Sequence, residues 1–152
     1  MYPNLNLPEF DLKIDGEKIW DVLRKKYVQL TPEEWVRQNF IQYLIQHKDY
    51  PAGRMVSEYT LDYNGMKKRC DVALFNQKLG VDVIVECKAP GVVLNEDTFY
   101  QIAKYTSTLE APILILTNGI EHYCAFVDVA KGEMRFLKEI PDKEALGKLL
   151  SN

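Results

Sequence analysis

The sequence has no long apolar run and no excess of positive charge. No stretch approaches the roughly 20 apolar residues that a membrane-spanning helix needs, and no basic segment followed by an apolar one opens the chain. We therefore expect a cytoplasmic protein without a membrane partner. The formal net charge is −3, from 19 Lys and Arg against 22 Asp and Glu. Bulk attraction to nucleic acid is thereby excluded, so any DNA binding must depend on local patches, a bridging metal or a larger partner.

Cysteine is scarce, and the sequence has no Cys-x-x-Cys pair. The three cysteines are odd in number and fall within predicted strands, which favours free core thiols in a reducing compartment. A zinc or thiol site is therefore a minor alternative, and it would have to be assembled from Cys70, Cys87, Cys124 and His122.

Internal repeats and linkers are also absent, and 152 residues suit one domain with a substantial core. We expect a single domain over residues 1–152, with a core at about 31–137, an N-terminal arm at 1–30 and a C-terminal tail at 138–152. No Gly-x-x-x-x-Gly-Lys-Ser/Thr loop occurs, so we expect no ATP-driven motor.

The N-terminal arm carries two weak local patterns. Residues 11–14 are interpreted as a short edge strand that precedes a turn at Asp15-Gly16. The basic residues Arg24, Lys25 and Lys26 are interpreted as a solvated surface patch rather than a phosphate site.

Two neighbouring strands carry the most informative charges. From Val81 to Lys88 the residues alternate with the period of a strand, so Glu86 and Lys88 share a face and lie about 7 Å apart. An earlier strand, residues 69–75, presents Asp71 on one face.

Two turns predict how these strands pair. A loop at Asn76–Gly80 sets Asp71 opposite Glu86, and a type I′ turn at Asn64-Gly65 sets Glu58 opposite Asp71. Like charges that face each other destabilise a sheet, so a row of three carboxylates needs a cation. A hard divalent ion with oxygen ligands is the natural candidate. The plainer alternative is a solvated sheet face.

A helix is predicted to start at Thr31 and to run to about His47. Thr31 is its N-cap, Pro32 its first residue, and Glu34 stands at the capping-box position. Glu34 has two interpretations, as a helix cap or as an acid beside the carboxylate row.

A second helix is predicted after Asn95, with Gln101 and Tyr105 four residues apart on one face. It leads to a buried strand at Ile113–Leu116, then to a turn and a hairpin. The turn is Thr117-Asn118-Gly119, and the hairpin strands are residues 123–129 and 134–137.

Four elements in order carry a family resemblance. They are Asp71, the tripeptide Glu86-Cys87-Lys88, Glu34 within Pro-Glu-Glu-Trp-Val-Arg-Gln, and the pair Gln101 and Tyr105. Together they resemble the PD-(D/E)XK nuclease superfamily, and within it the N-terminal nuclease domain of type I restriction enzyme motor subunits. The resemblance covers residues 31–137, and the Thr117-Asn118-Gly119 turn also fits it.

The resemblance implies a fold and a reaction. The fold is an α/β, α+β-like restriction-endonuclease core, a central mixed sheet flanked by helices in the order α-β-β-β-α-β plus a C-terminal hairpin. The reaction is Mg²⁺-dependent DNA cleavage, with Mn²⁺ as a substitute. Expected partners are DNA, other restriction-system subunits and a second copy of the chain.

The resemblance also assigns roles to individual residues. Asp71, Glu86 and the backbone carbonyl of Cys87 would bind the metal. Lys88 would position or deprotonate the attacking water, and Glu34 could bind the metal through water. Gln101 and Tyr105 would orient the DNA backbone or the Lys88 end of the site. Two alternatives remain beside the zinc site: a catalytically inactive DNA-binding or interaction domain of a defence complex, and a purely structural domain.

Overall fold

The computed structural model describes residues 2–63, 65–106, 110–128 and 130–151, with side chains at all of these except positions 61, 63, 68, 105 and 106. Two residues used in the predictions, Asn64 and Val129, lie outside the described part. Within that part, no helix combines the length and apolar character needed to cross a membrane.

A small antiparallel sheet forms the N-terminal region. Its strands are β1 (Ile14–Asp15), β2 (Lys18–Asp21) and β3 (Lys26–Gln29). The predicted edge strand and the turn after it are present, but the strand covers Ile14–Asp15 instead of residues 11–14, and residues 18–29, assigned to an arm, form two further strands. The strands are short and mixed in polarity, so they show little alternation. They are held instead by the buried Ile19 and by the edge contact of Trp20 with Tyr27, whose ring centroids lie 5.2 Å apart.

Helix α1 (Pro32–His47) begins as predicted. The Thr31 hydroxyl accepts a hydrogen bond of 3.0 Å from the Glu34 amide, which satisfies one of the free donors of the first turn. Val36, Phe40 and Leu44 are buried, at the spacing of one helical face.

The central sheet has six strands, in spatial order β4-β5-β6-β7-β8-β9. β6 and β7 are parallel, joined by helix α2 (Glu96–Thr106), and all other neighbours are antiparallel. The predicted α/β fold, with a mixed sheet and flanking helices, is confirmed. The strands are β4 (Met55–Tyr63), β5 (Met66–Phe75), β6 (Val81–Cys87), β7 (Ile113–Thr117), β8 (His122–Asp128) and β9 (Glu133–Leu137).

Both predicted registers are confirmed. Val72 pairs with Ser57 on one side and with Val85 on the other, so the next residues along these strands bring Glu58, Asp71 and Glu86 level with one another. The β5–β6 loop closes through a 2.8 Å bond from the Asn76 amide to the Gly80 carbonyl.

Each face of the sheet has its own apolar cluster, because alternate strand residues point to opposite sides. Val72 packs with α1 and with Leu146 of helix α3 (Lys143–Leu150) on one face. Ala73 packs with Phe99 of α2 on the other face. The two helical layers fix the ends of β5 and β6, where the charged residues lie.

Candidate functional site

Asp71 and Glu86 form a carboxylate pair at the end of the central strands. The Cys87 amide donates a hydrogen bond of 2.6 Å to Oδ2 of Asp71, which holds this carboxylate across β5 and β6. Burial, and next the charge of Asp71, raises the pKa of Glu86 to about 8. The pair therefore retains a proton near neutral pH.

Lys88 lies one residue beyond the end of β6, rather than within the strand as predicted. Its amide donates a 2.8 Å hydrogen bond to the carbonyl of Thr117, which fixes the backbone against the end of β7. The charge of Lys88 acts to lower the pKa of Glu86, so the ammonium group is close enough to favour the carboxylate form. Lys88 and the acidic pair therefore share one site.

The Thr117-Asn118-Gly119 turn supports this end of the sheet. The Asn118 carbonyl oxygen Oδ1 accepts hydrogen bonds from the amides of Ile120 and Glu121, and its Nδ2 donates to the carbonyl of Val92 at 2.9 Å. The loop that follows Lys88 is therefore tied to the turn.

Glu33, at the start of α1, lies close enough to the acidic pair for the charge of Asp71 to act on it. Burial, and next the charge of Asp71, raises the pKa of Glu33, and Lys88 acts in the opposite sense. Sequence reasoning missed Glu33, although it is the neighbouring acid in the same helical turn.

The Glu34 carboxylate is bound elsewhere. Oε2 accepts a 2.9 Å hydrogen bond from Nε2 of Gln38, and Oε1 lies 3.4 Å from Nη2 of Arg24. Its side chain is only 8% exposed. The local cap at Thr31 uses the Glu34 backbone, while the side chain joins an ion-pair network described below.

Glu58 also departs from the prediction. Its φ of 54° interrupts the pairing with β5, and its carboxylate is surrounded by guanidinium groups. The three distances are 3.2 Å to Arg24, 3.3 Å to Arg37 and 3.5 Å to Arg69. The expected row of carboxylates does need a cation, but the cation that joins Glu58 to Asp71 is an arginine.

Arg37 makes that connection from α1. Each of its nitrogens lies near a different carboxylate: Nε is 3.5 Å from Glu34, Nη1 3.3 Å from Glu58 and Nη2 3.4 Å from Oδ1 of Asp71. Burial by itself would lower the pKa of Arg37, but Asp71 and then Glu34 raise it above its ordinary value. The guanidinium is a fixed charge beside the acidic pair.

Arg24 mirrors this arrangement from the turn between β2 and β3. Its Nε pairs with Asp21, its Nη1 with Glu58 and its Nη2 with Glu34. Burial raises the pKa of the Asp21 carboxyl group, but the hydrogen bonds from Arg24 outweigh this and lower it. The interpretation of Arg24 as solvated surface was wrong, because its side chain is only 23% exposed and pairs with three carboxylates, two of which, Glu34 and Glu58, are distant in sequence.

These contacts close into a ring, which we call the ion-pair ring: Arg24, Glu34, Arg37 and Glu58. Each glutamate gives one carboxylate oxygen to each arginine. Asp21 is attached on one side of the ring and Asp71 on the other.

The acidic pair offers a donor set that suits a hard divalent cation. The carboxylate groups of Asp71 and Glu86 and the nearby backbone carbonyl of Cys87 all offer oxygen ligands. Oxygen ligands fit Mg²⁺ better than a soft metal. In the described part of the chain, no three His, Cys, Asp or Glu side chains are grouped to hold a metal ion. The three cysteines are free and buried, as expected, and the zinc alternative finds no assembled site among those residues.

The remaining predicted residues lie on α2. Gln101 is exposed in the middle of this helix. The backbone of Tyr105 continues the helix, but its side chain lies outside the described residues. Their proposed contact with DNA stays a prediction.

Two solved structures are similar to this chain, and the first of them shares its fold. A fragment of a putative HsdR subunit of a type I restriction enzyme from Vibrio vulnificus YJ016 is 21% identical, with a TM-score of 0.57; the match covers 80% of this chain and 25% of that one. A chain of the DrdV–DNA complex, solved by cryo-electron microscopy, is 17% identical with a TM-score of 0.45, over 80% of this chain and 12% of that one. No curated protein matches the sequence.

The family model described as Type I restriction enzyme R protein N terminus (HSDR_N) matches residues 32–141. The chain belongs to this family. It spans about a quarter of the length of the Vibrio fragment. Strands β1 to β3 precede the matched region.

Proposed function

We propose that this chain is a metal-dependent DNA endonuclease domain of the PD-(D/E)XK type that acts within a restriction system. The proposal rests on the half-buried carboxylate pair of Asp71 and Glu86, with Lys88 directly after the strand. Membership in a restriction-enzyme family supports the same reading.

Asp71, Glu86 and the carbonyl of Cys87 would hold Mg²⁺, for which Mn²⁺ substitutes. When bound, the cation polarises a phosphoryl oxygen and lowers the pKa of coordinated water. Glu86 must first lose its proton, and Lys88 favours that loss.

The other side chains act on water and on DNA. Lys88 holds the attacking water or accepts its proton, the two roles that an amine group at the edge of the metal site can take. Glu33 adds a third acid at the mouth of the site. Gln101 and Tyr105 orient the DNA backbone from α2.

The partners follow from the family. DNA is the proposed substrate, and other restriction subunits are proposed partners because the family is that of the R protein of type I restriction enzymes and the similar Vibrio fragment is described as a subunit of such an enzyme. A second copy of the chain is a further proposed partner.

The test is cleavage of supercoiled plasmid by the wild type and Glu86→Gln with Mg²⁺, Mn²⁺ or EDTA, beside calorimetric Mn²⁺ titration. We expect nicking with either metal, none with EDTA, and a loss of about 10²-fold or more for Glu86→Gln. Glu133→Gln, on the exposed edge strand β9, is the matched control and should cut normally. DNA binding without cutting would instead favour an inactive DNA-binding domain. Absence of both metal and DNA binding would favour an interaction domain.

A further inference from the structure

We infer that Arg24 is a positioning residue for Asp71, acting through the ion-pair ring, and that the N-terminal sheet is therefore part of the site. The effect of Arg24 on cleavage rests on the proposed function. The coupling between Arg24 and Asp71, which we call the linkage, can be measured without metal or DNA.

The ring gives a continuous path from the sheet to the site. Asp21 is fully buried, and its Oδ1 accepts hydrogen bonds from the amides of Leu23 (2.8 Å) and Arg24 (3.1 Å), which fixes the β2–β3 turn. Its other oxygen pairs with Nε of Arg24. The guanidinium is thereby held in one orientation before it reaches the ring.

Within the ring, the two arginines divide two glutamates between them. Glu34 presents Oε1 to Arg24 and Oε2 to Arg37, and Glu58 presents Oε2 to Arg24 and Oε1 to Arg37. This division leaves Nη2 of Arg37 for Asp71, at 3.4 Å.

Removal of Arg24 would upset the charge balance. Arg37 would then face the carboxylates of Glu34, Glu58 and Asp71 with little help, because Arg69 is 66% exposed and touches only Glu58 among them. The Arg37 side chain is 7% exposed, so its ion pairs are weakly screened by solvent. Glu34 and Glu58 would draw Arg37 away from Asp71.

The backbone at Glu58 indicates that the ring is a built feature. A non-glycine residue with φ of 54° in a strand is strained and persists only where its surroundings impose it. In this backbone conformation the Glu58 carboxylate pairs with Arg24 and Arg37. One member of the ring, Arg24, lies before residue 32, where the family match begins, whereas the other three members lie within the match.

The first test is a double-mutant cycle on the free energy of unfolding in EDTA, with Arg24→Gln, Asp71→Asn and the double variant. We expect non-additive effects, because the two residues belong to one network. The matched control is Lys25→Gln, which removes the same charge from the same turn at an exposed position, and should be additive with Asp71→Asn. Additive effects for Arg24 as well would overturn the inference. Should Arg24→Gln fail to fold, Arg24→Lys serves in the same cycle.

The second test follows Mn²⁺ affinity and plasmid nicking at saturating Mg²⁺. In Arg24→Gln, Asp71 loses part of its guanidinium partner, so we expect Mn²⁺ to bind about three-fold tighter or more while nicking falls about ten-fold. Arg24→Lys should not restore nicking, since one ammonium group cannot hold three carboxylates in a planar fork. Unchanged affinity and rate would contradict the inference. Coupling in the cycle without metal binding or nicking by the wild type would instead contradict the proposed function and leave the linkage standing.

Discussion

The amide of Cys87 donates a hydrogen bond of 2.6 Å to Oδ2 of Asp71. This bond ties a carboxylate on β5 to the strand residue that follows Glu86. The other oxygen of Asp71 faces Arg37 at 3.4 Å. Asp71 is thus oriented before any cation binds, and a ligand held in place loses little conformational freedom on binding.

Asp71→Asn should weaken Mn²⁺ binding by about ten-fold or more, because one anionic ligand is lost. The fold should persist, since the asparagine Oδ1 can still accept the hydrogen bond from the Cys87 amide. The measurement is a calorimetric titration at pH 7.5. Asp62→Asn, at an exposed position on β4, is the control. Equal affinity in Asp71→Asn and wild type would remove Asp71 from the metal site.

Metal binding should release a proton from Glu86. Its pKa of about 8 means that the carboxyl is largely protonated at pH 7, and a cation must displace that proton. Affinity for Mn²⁺ should therefore rise with pH up to about 8. Titrations in buffers of different ionisation enthalpy would count the proton, and Glu86→Gln should release none. Binding without proton release would contradict the assignment.

The same carboxyl group predicts how stability varies with pH in EDTA. The unfolded chain loses the Glu86 proton near pH 4.5, whereas the folded chain keeps it until about 8. Between these values the folded state binds more protons, so the contribution of Glu86 to stability falls as pH rises. The difference in Tm between Glu86→Gln and wild type should shift in favour of the variant from pH 5 to pH 8, by about 5 °C or more.

Gln101→Ala and Tyr105→Ala should reduce DNA affinity or cleavage while the fold stays nearly intact. Gln101 is exposed on α2, so its truncation should change stability by no more than about 0.5 kcal/mol. Gln77→Ala, in the exposed β5–β6 loop, serves as a control for the loss of an exposed side chain. A large loss of stability with unchanged DNA binding would show that the pair serves the core.

The pairing of the central strands was predictable because two turns and an apolar pattern define it locally. The loop at Asn76–Gly80 places Val72 opposite Val85, and the same reasoning from the hairpin at Gly65 places Val72 opposite Ser57. A slip of one residue would turn the apolar residues to the wrong face. The position of Asp71 beside Glu86 on the neighbouring strand follows from that register.

The surroundings of the pair were not predictable from local pattern. Arg24 pairs with Glu58 across 34 positions of sequence, and no local sequence pattern around either residue indicates this ion pair. Which of Glu33 and Glu34 faces the site depends on how α1 rotates against the sheet, since neighbours on a helix point about 100° apart. The positive φ of Glu58 was also not predictable, because glutamate is not a residue type that favours this conformation.

Gly119→Ala should destabilise the turn that supports Lys88. Gly119 has φ of +87°, and a Cβ there would lie 2.6 Å from Cδ2 of Leu5. Gly132→Ala is the matched control, because its φ of +66° is also positive but no atom lies within 4 Å of the added Cβ. We expect a cost of about 1 kcal/mol for Gly132→Ala, and at least about 1 kcal/mol more for Gly119→Ala. Equal losses of unfolding free energy for the two variants in urea would show that the Leu5 side chain moves aside at no cost.

Lys88→Ala should separate catalysis from binding. Its ammonium group favours the charged form of Glu86, and it is only half buried, so the fold should survive its loss. Mn²⁺ should bind as well or better, because a competing cation is gone. Nicking at saturating Mg²⁺ should fall by about 10²-fold or more, the usual effect of losing an acid–base group. Lys88→Arg should not restore it, since a guanidinium stays protonated and differs in shape. Lys78→Ala, in the exposed β5–β6 loop, is the control. If Lys88→Ala cuts as fast as a competent wild type, the lysine takes no part in the reaction.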